Sequence, residues 1–315
     1  MLKNDRMDPR RLRLLVEFAR LGSMAAVADE LGVTTSTVSQ QLSLLAKELG
    51  TVLLEPFGRR VRLTPAGRRL ADHAITILAA IDAAKLDLDV EAEPRGTLRV
   101  AGFGSGIRRS LLPVVRELEQ SHPAVRISIG EYEPFESFDL LASDEVDLAI
   151  AYDYTLAPAS VRDDVIVAPL WSTEWGLGVP ERDAHLSFAD FADRPWIVNS
   201  RNTADEEVVL MLASAAGFTP RIAHRIDSLE LVEELIAAGL GVGLMSLEWP
   251  MTRAVTVLPI TDATLRLRAF SAVRRGREEW PLLRLVLGRL AEGGTAGNGT
   301  EQPFDLLLHR SSERR

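Results

Sequence analysis

The sequence predicts an α/β protein in three parts: a small helical module ending in a β-hairpin, a long linking helix, and a large two-lobed α/β body. Net charge changes along the chain, from +4 over residues 1–73 to −3 over 74–95 and −10 over 96–315, although all 315 residues together carry −9. Apolar residues recur at helical spacing up to the second boundary, and β-rich runs alternate with helical segments beyond it. We therefore divide the chain into 1–64, 65–95, 96–292 and a flexible tail, 293–315.

Composition excludes several classes of function. The chain has no cysteine, so it has no disulfide, thiolate metal site or cysteine nucleophile. Its five histidines lack metal-ligand spacing, and none of its three lysines follows the glycine that a P-loop requires. The longest uncharged apolar stretch, Leu235–Leu247, is short of the roughly 20 residues that span a bilayer. We expect a cytoplasmic protein with no metal, no cofactor and no membrane contact.

The pattern of the basic module predicts a helix-turn-helix. The predicted helices are Arg11–Arg20, Met24–Leu31 and Thr35–Leu49. Ser23 and Thr34 are N-cap residues for the second and third helices, and Gly32 ends the second. The third helix would bury Val38, Leu42, Leu45 and Leu49. Two short helices joined by a glycine-containing turn form the helix-turn-helix unit.

The exposed start of the third helix is short, polar and uncharged. Its side chains are Thr34, Thr35, Ser36, Ser39, Gln40 and Ser43. A solvated helix face normally carries Lys and Glu, whereas hydroxyls and amides donate to phosphates and read base edges. We predict that this face enters the major groove of double-stranded DNA. The alternative is capping plus an ordinary polar face.

A basic β-hairpin follows the third helix. Its predicted strands are Val52–Leu54 and Val61–Leu63, and its cations are Arg59, Arg60 and Arg62. A hairpin wing beside a helix-turn-helix can lay arginines along the phosphate backbone, where they contribute affinity rather than sequence choice.

Thr64 and Pro65 then open a long helix with an apolar seam. The seam residues are Leu70, Ala74, Ile77, Ile81, Ala84 and Leu88, a heptad spacing. Such a seam needs a partner, either the chain's own body or a second copy. A second copy would present two recognition helices to a two-fold DNA site, so we predict a homodimer or homotetramer.

Six short motifs carry a resemblance over residues 7–73. They are Leu15…Phe18, Gly22-Ser23, Ala28…Leu31, Val38-Ser39…Leu42, Leu49-Gly50 and Arg62-Leu63-Thr64-Pro65-Ala66-Gly67. In this order they resemble the winged helix-turn-helix domain of LysR-type transcriptional regulators. The family often has Leu-Glu where this chain has Leu45-Ala46, and commonly has Leu-Phe-x-Arg where it has Leu53-Leu54-Glu55-Pro56. The second departure removes one family arginine, which the wing arginines would replace.

The acidic body alternates strands and helices. The predicted strands are Leu98–Phe103, Val125–Ile129, Val146–Ala151, Trp196–Asn199, Arg221–Ile226 and Val242–Ser246. The predicted helices are Ile107–Gln120, Ser137–Asp144, Ala204–Ala216 and Leu229–Ala238. This alternation implies a mostly parallel sheet, and its repetition suggests two lobes with a cleft between them.

A glycine-rich turn, Gly102–Gly106, invites comparison with dinucleotide-binding folds. Ile107 stands where the third glycine of that fingerprint is required, and Glu131 lies farther along than its usual acid. A nucleotide cofactor is therefore disfavoured, although free N–H groups at a helix start still suit a polar or anionic ligand.

The body also resembles the effector-binding domain of the LysR family. The motifs are Leu98-Arg99-Val100, Leu112-Pro113, His122-Pro123, Val146–Ile150 and Gly239–Gly243, in the family's order. The resemblance implies a periplasmic-binding-protein-like fold, with lobe one at 96–168 and 270–292 and lobe two at 169–269. Hinge candidates are Glu174–Val179 and Leu265–Val273.

The same resemblance implies an effector site at the helix starts that face the cleft. The candidates are Gly104, Ser105, Gly106 and Glu131 in lobe one, and Asn199, Ser200, Arg201, Thr203 and Asp227 in lobe two. Thr203 and Asp227 also fit purely structural capping roles. Arg201 would favour a carboxylate effector, because a guanidinium can pair bidentately with one.

The leading interpretation is a LysR-type transcriptional regulator that is not an enzyme and binds promoter DNA under the control of a small molecule. The alternative is a cytoplasmic α/β enzyme or small-molecule-binding protein with an accessory helical domain. The order and spacing of the motifs from Ser23 to Gly67 favour the regulator.

Overall fold

The computed structural model describes residues 7–58, 60–88, 93–202, 204–260 and 264–295. Two of the expected site residues, Arg59 and Thr203, lie outside this described part. Residues 296–315 of the expected tail also lie outside it.

The N-terminal module, residues 7–64, contains three helices and a hairpin. They are α1 (Pro9–Leu21), α2 (Met24–Leu31), α3 (Thr35–Leu49), β1 (Leu54–Phe57) and β2 (Arg60–Leu63). The bounds of α2 and α3 match the sequence prediction. Helix α1 begins two residues before the predicted start, because Asp8 caps it by accepting from the Arg10 N–H at 2.9 Å and Pro9 occupies its first position.

All three helices end on a left-handed glycine, at φ 64° for Gly22, 63° for Gly32 and 62° for Gly50. Their inner faces form one apolar core, centred on the fully buried Leu15, Val27, Val38, Leu42 and Leu45. Leu49, expected in that core, is 37% exposed, since it lies in the last turn and beyond the packed part of α3.

The wing differs from its predicted position. The first strand begins at Leu54 rather than Val52, and the hairpin pairs Leu54 with Leu63 and Phe57 with Arg60 around Gly58. The backbone of Val52 and Leu53 is already bonded to Thr64, whose Oγ1 donates to the Val52 carbonyl at 2.7 Å. A proline inside β1 is tolerated because the ribbon has only two strands and both are edges.

Helix α4 (Pro65–Leu88) rises from the module and packs along α1. Gly67 makes this close approach possible, because a Cβ there would lie 2.3 Å from the Leu53 carbonyl oxygen. Ala71, Ala74 and Ile75 are buried against the module's core.

A single mixed sheet forms the body. Its strands are β3 (Gly96–Gly102), β4 (Val125–Glu131), β5 (Leu148–Tyr154), β6 (Val165–Pro180), β7 (Pro195–Val198), β8 (Arg221–Arg225), β9 (Val242–Ser246), β10 (Val255–Pro259) and β11 (Arg266–Arg274). They run in the order β4-β3-β5-β11-β6-β9-β7-β8, with β10 paired to β6.

Helices pack against this sheet. They are α5 (Gly104–Gly106), a π-helical turn (Ile107–Leu111), α6 (Leu112–Ser121), α7 (Pro134–Ala142), α8 (Ala204–Ala215), α9 (Leu229–Ala237) and α10 (Pro281–Thr295), with 3₁₀ turns at Glu181–Asp183 and Phe188–Phe191. No helix in the described part of the chain is long and apolar enough to cross a membrane.

The expectation of a mostly parallel sheet holds only at the two ends. Strand β3 runs parallel to β4 and β5, and β7 runs parallel to β8 and β9. Strands β6 and β11, in the middle of the sheet, are antiparallel to all their partners.

The sheet changes partners in the middle of β6. Residues 165–174 pair with β11, whereas Trp175–Gly178 pair with β9. We call β3, β4, β5, β11 and residues 165–174 the first half-sheet, and β7–β10 with residues 175–180 the second. The change lies at Glu174–Trp175, where the Trp175 N–H donates to the Leu265 carbonyl at 2.9 Å. Residues 169–174 and 266–269, which we expected in lobe two, thus belong to the first half-sheet.

Candidate DNA-binding surface and effector cavity

The polar start of α3 is exposed at all six expected positions, but its hydroxyls are not equivalent. Thr34 Oγ1 accepts from the Thr37 N–H at 3.1 Å and so serves as the N-cap. Ser43 Oγ donates to the Ser39 carbonyl at 2.8 Å. Within the described residues, the side chains of Thr35, Ser39 and Gln40 have no protein partner. Their donors and acceptors are therefore available to a second molecule.

The wing arginines also differ from one another. Arg62 Nε donates to Glu55 at 2.7 Å, and its guanidinium lies 4.7 Å from the centre of the Phe57 ring. Arg60 is exposed, with no ion pair inside the described part of the chain. Pro56 stands where the family commonly has an arginine, and the neighbouring Glu55 neutralises part of the wing's positive charge.

The seam expected on α4 divides between two environments. Ala74 is fully buried inside the module and Leu70 packs against the same core, so these two do not lie on an outer face. Ile77 and Ala84 are exposed, Leu88 is 86% exposed, and Ile81 is half-buried. The outward apolar surface therefore belongs to the second half of the helix, where α4 leaves the module.

A cavity of about 310 Å³ lies where the two half-sheets meet. Five of the residues expected there line it: Gly104, Ser105, Glu131, Asn199 and Asp227. Gly106 does not line the cavity, since it is buried behind Phe103, and a Cβ on it would lie 2.4 Å from that ring. Ser200 and Arg201 lie outside the lining.

Arg201 is already engaged by acids. Its Nε donates to Asp227 at 2.8 Å, and its Nη1 lies 3.3 Å from Glu136. Asp227 also accepts from the N–H and the hydroxyl of Ser200, both at 2.7 Å. Burial opposes ionisation of Asp227, but these donors prevail and hold its pKa below the ordinary value. Ser228, rather than Asp227, caps α9.

Two acids in the cavity wall have the opposite environment. Burial raises the pKa of Glu133 to about 7, although the Tyr152 hydroxyl donates to it at 2.9 Å. Burial likewise raises the pKa of Asp205 to about 6, although the Tyr154 hydroxyl donates to it. Both tyrosine pKa values are raised well above their ordinary range, chiefly by burial. Both acids therefore titrate near neutral pH.

Sequence reasoning missed these four residues. Tyr152 and Tyr154 lie two residues apart on β5, but the two acids are distant from each other in the chain, and the four residues match no short motif that distinguishes them from ordinary core and surface positions. It also missed Arg108, which the π-helical turn brings to the cavity wall. The part of the chain that the structure describes contains no grouping of His, Asp and Glu suited to a metal ion.

Comparison with known proteins adds independent findings. The family described as "LysR substrate binding domain" matches residues 91–294, and "Bacterial regulatory helix-turn-helix protein, lysR family" matches residues 9–68. The chain is 28% identical over 250 residues to the transcriptional dual regulator GltC of Bacillus subtilis, covering 76% of this chain and 80% of GltC. It is 26% identical to the regulator CysB of Haemophilus influenzae, covering 82% of this chain and 81% of CysB.

Solved structures share the fold. A full-length OxyR variant from Pseudomonas aeruginosa has a TM-score of 0.69 at 20% identity, covering 95% of this chain and 99% of that one. HinK from Pseudomonas aeruginosa, described as a LysR family transcriptional regulator, has a TM-score of 0.54 at 22% identity, covering 90% of this chain and 98% of its own.

Proposed function

The chain belongs to the LysR family of transcriptional regulators, DNA-binding proteins with an effector-binding domain, and we propose that its effector binds in the cavity between the two half-sheets. It is a regulator and not an enzyme. The observation that carries the proposal is that both half-sheets contribute to the wall: Ser105 follows β3 of the first, and Asn199 and Asp227 follow β7 and β8 of the second.

Binding there would act on the relative position of the half-sheets. Strand β6, which belongs to both half-sheets, runs past the cavity and supplies Trp175 to its lining, and β11 of the first half-sheet supplies Leu267. A ligand shifts a conformational equilibrium only if it binds the two arrangements unequally. A ligand that touches both half-sheets meets this condition, because its contacts change when they move.

We propose that the exposed polar face of α3 reads the DNA sequence. Ser36, Ser39, Gln40 and Ser43, with Thr35, would contact base edges and nearby phosphates. Thr34 would contribute by holding the helix start in place. Arg59, Arg60 and Arg62 would contact the phosphate backbone. What supports this is the exposure of the described members of both groups on one module.

We further propose a cytoplasmic homodimer or homotetramer that pairs through the outer half of α4. Ile77, Ala84 and Leu88 form an apolar strip that the described part of the chain leaves exposed. Introducing a charge with Ile77→Glu and Leu88→Glu should give a smaller particle in size-exclusion chromatography with light scattering. Lys85→Glu, beside the strip, is the control. An unchanged mass for the double variant would remove this helix from the interface.

The regulator itself is tested with the full chain and DNA from upstream of its own gene. We expect salt-dependent binding in fluorescence anisotropy, and its complete absence would reject the assignment of the DNA-binding surface.

The cavity is tested with Ser105→Arg, which fills it. This variant should bind DNA like the unmodified protein and lose the thermal shift caused by any cavity ligand. Ser121→Arg, on an exposed helix end away from the cavity, should keep both.

A further inference from the structure

The proposed effector cavity is strongly acidic. Its carboxylate-bearing lining residues are Glu131, Glu133, Asp205, Asp227 and Glu230, whereas Arg108 is the one cation among the described lining residues. Arg108 pairs with Glu230 at 3.2 Å, and Asp227 pairs with Arg201. Within the described chain, the other three acids are left without an ion-pair partner.

Two of these unpaired acids are shielded from water. Glu133 is only 5% exposed. The Oδ1 atom of Asp205 is buried and has no hydrogen-bond partner among the described atoms. A buried acceptor left unsatisfied is costly, and native proteins seldom retain one without a reason. Because both residues line the cavity, a donor placed there can satisfy Oδ1 of Asp205 and add to the hydrogen bond that Glu133 already accepts from Tyr152.

Aromatic rings form the wall beside these acids. Phe103 contacts Tyr152 at 4.7 Å between ring centres, Tyr152 contacts Tyr154 at 5.9 Å, and Tyr154 contacts Trp175 at 5.5 Å. All four residues line the cavity. Aromatic faces are electron-rich and attract cations, most strongly where water is excluded. The rings and the acids therefore favour the same kind of ligand.

From this geometry we infer that the effector is a small organic cation, an amine, guanidinium or quaternary ammonium compound. Its charged group lies between Glu133 and Asp205, and its apolar part contacts the aromatic row. This inference rests on the proposed function of the cavity. A cavity of about 310 Å³ is at the small end of ligand pockets.

The same geometry argues against the carboxylate effector expected from Arg201. That guanidinium lies outside the lining and is shared by Asp227 and Glu136. A carboxylate in the cavity would meet a cluster of acids and only Arg108, which Glu230 already holds. Burying an uncompensated anion beside other anions is unfavourable.

Binding of a cation is linked to protons. Glu133 is faced by Tyr152 of β5, by Asp205 of α8, and by Asp227 and Arg201 from the loops beside α8 and α9. Asp205 is faced by Tyr154 and by Asp227. A cation stabilises the ionised form of both acids, so it releases protons when it binds below pH 7. Affinity should rise about tenfold between pH 6 and pH 8.

The test uses the full-length protein and four probes in isothermal titration: benzylamine, agmatine, choline and, as the anion matched in shape to the first, benzoate. We expect at least one cation to bind, benzoate to fail, and the affinity to rise from pH 6 to pH 8. Glu133→Gln and Asp205→Asn should each weaken that binding at least about tenfold and flatten its pH dependence. Glu119→Gln, an exposed acid on α6, is the control.

Circular dichroism of each variant separates lost binding from lost folding, and the two conservative changes provide independent tests. Failure of all three cations, or binding that survives both variants, overturns the cationic effector. Benzoate binding that Ser105→Arg abolishes would keep the cavity as the effector site and reject only the charge class. Binding of any probe that Ser105→Arg leaves intact would reject the cavity itself.

Discussion

The guanidinium of Arg274 donates to Oδ1 of Asp72 at 2.7 Å and thereby joins the end of β11 to helix α4. Leu267, near the other end of the same strand, lines the effector cavity. Close packing reinforces the contact, since a Cβ on Gly276 would lie 2.2 Å from Thr76 Oγ1 on α4. One strand therefore connects the cavity wall with the helix that carries the DNA-binding module.

Removing this ion pair should uncouple the two regions with little effect on stability. Asp72 is 64% exposed, so Asp72→Asn should change the free energy of unfolding by less than about 1 kcal/mol. Hydrogen exchange at the start of α4 should then rise. In the unmodified protein, a cavity ligand should change the exchange of residues 266–274 and of α4 together, and in the variant these two changes should no longer occur together. Asp164→Asn, which breaks the exposed pair with Arg162, is the control. Unchanged exchange in α4 would rule out Asp72 as a coupling residue.

The stability of the protein should depend on Glu133 with a definite sign. Its pKa is about 7 in the folded chain against an ordinary 4.5, so the folded state holds a proton that the unfolded state has lost between these values. Stability contributed by this site therefore falls as pH rises from 4.5 to 7 and stays low above pH 7. Glu133→Gln removes this loss. The unfolding free energy of the variant minus that of the unmodified protein should therefore be about 3 kcal/mol larger at pH 8 than at pH 4.5.

Chemical denaturation at several pH values measures this effect. The difference in unfolding free energy between Glu133→Gln and the unmodified protein should grow with pH up to about 7 and then level off. Glu119→Gln should show no such trend. A difference that shrinks as pH rises would mean that Glu133 is ionised and stabilised in the fold.

The wing predicts opposite effects for two substitutions. Glu55→Gln releases Arg62 from its 2.7 Å ion pair, so DNA affinity at low salt should increase severalfold and the salt slope should steepen by about one. Arg60→Ala should weaken binding uniformly across sequences and reduce the slope by about one. Arg116→Ala, an exposed cation on α6, is the control. If the salt dependence of DNA affinity had the same slope in both wing variants, the hairpin would not contact phosphates.

Helix α3 predicts a separation between stability and sequence reading. Thr34→Ala removes the N-cap and should cost about 1 kcal/mol of unfolding free energy. Gln40→Ala removes an exposed side chain that makes no bond within the described chain, so stability should hold while the preference among DNA sequences changes. Thermal unfolding and binding to a library of randomised sites measure the two effects. An identical preference for Gln40→Ala would show that Gln40 does not read bases.

The sequence by itself determined the elements whose ends are set locally. Helices α2 and α3 begin at a capping hydroxyl and end at a glycine, and both signals lie within a few residues of the helix. The resemblance to the LysR effector-binding domain implied a site containing Gly104, Ser105, Asn199 and Asp227, and all four line the cavity.

Only the tertiary structure decided how the charges of the site are paired. The sequence predicted that Arg201 would be available to a carboxylate effector, but Asp227 and Glu136 neutralise its charge. Nothing in the sequence distinguished Glu133 and Asp205, but folding places them beside Tyr152 and Tyr154, and within the described chain neither has an ion-pair partner. The physical reason is that desolvation and ion pairing depend on distances between residues far apart in the chain, which local periodicity does not encode.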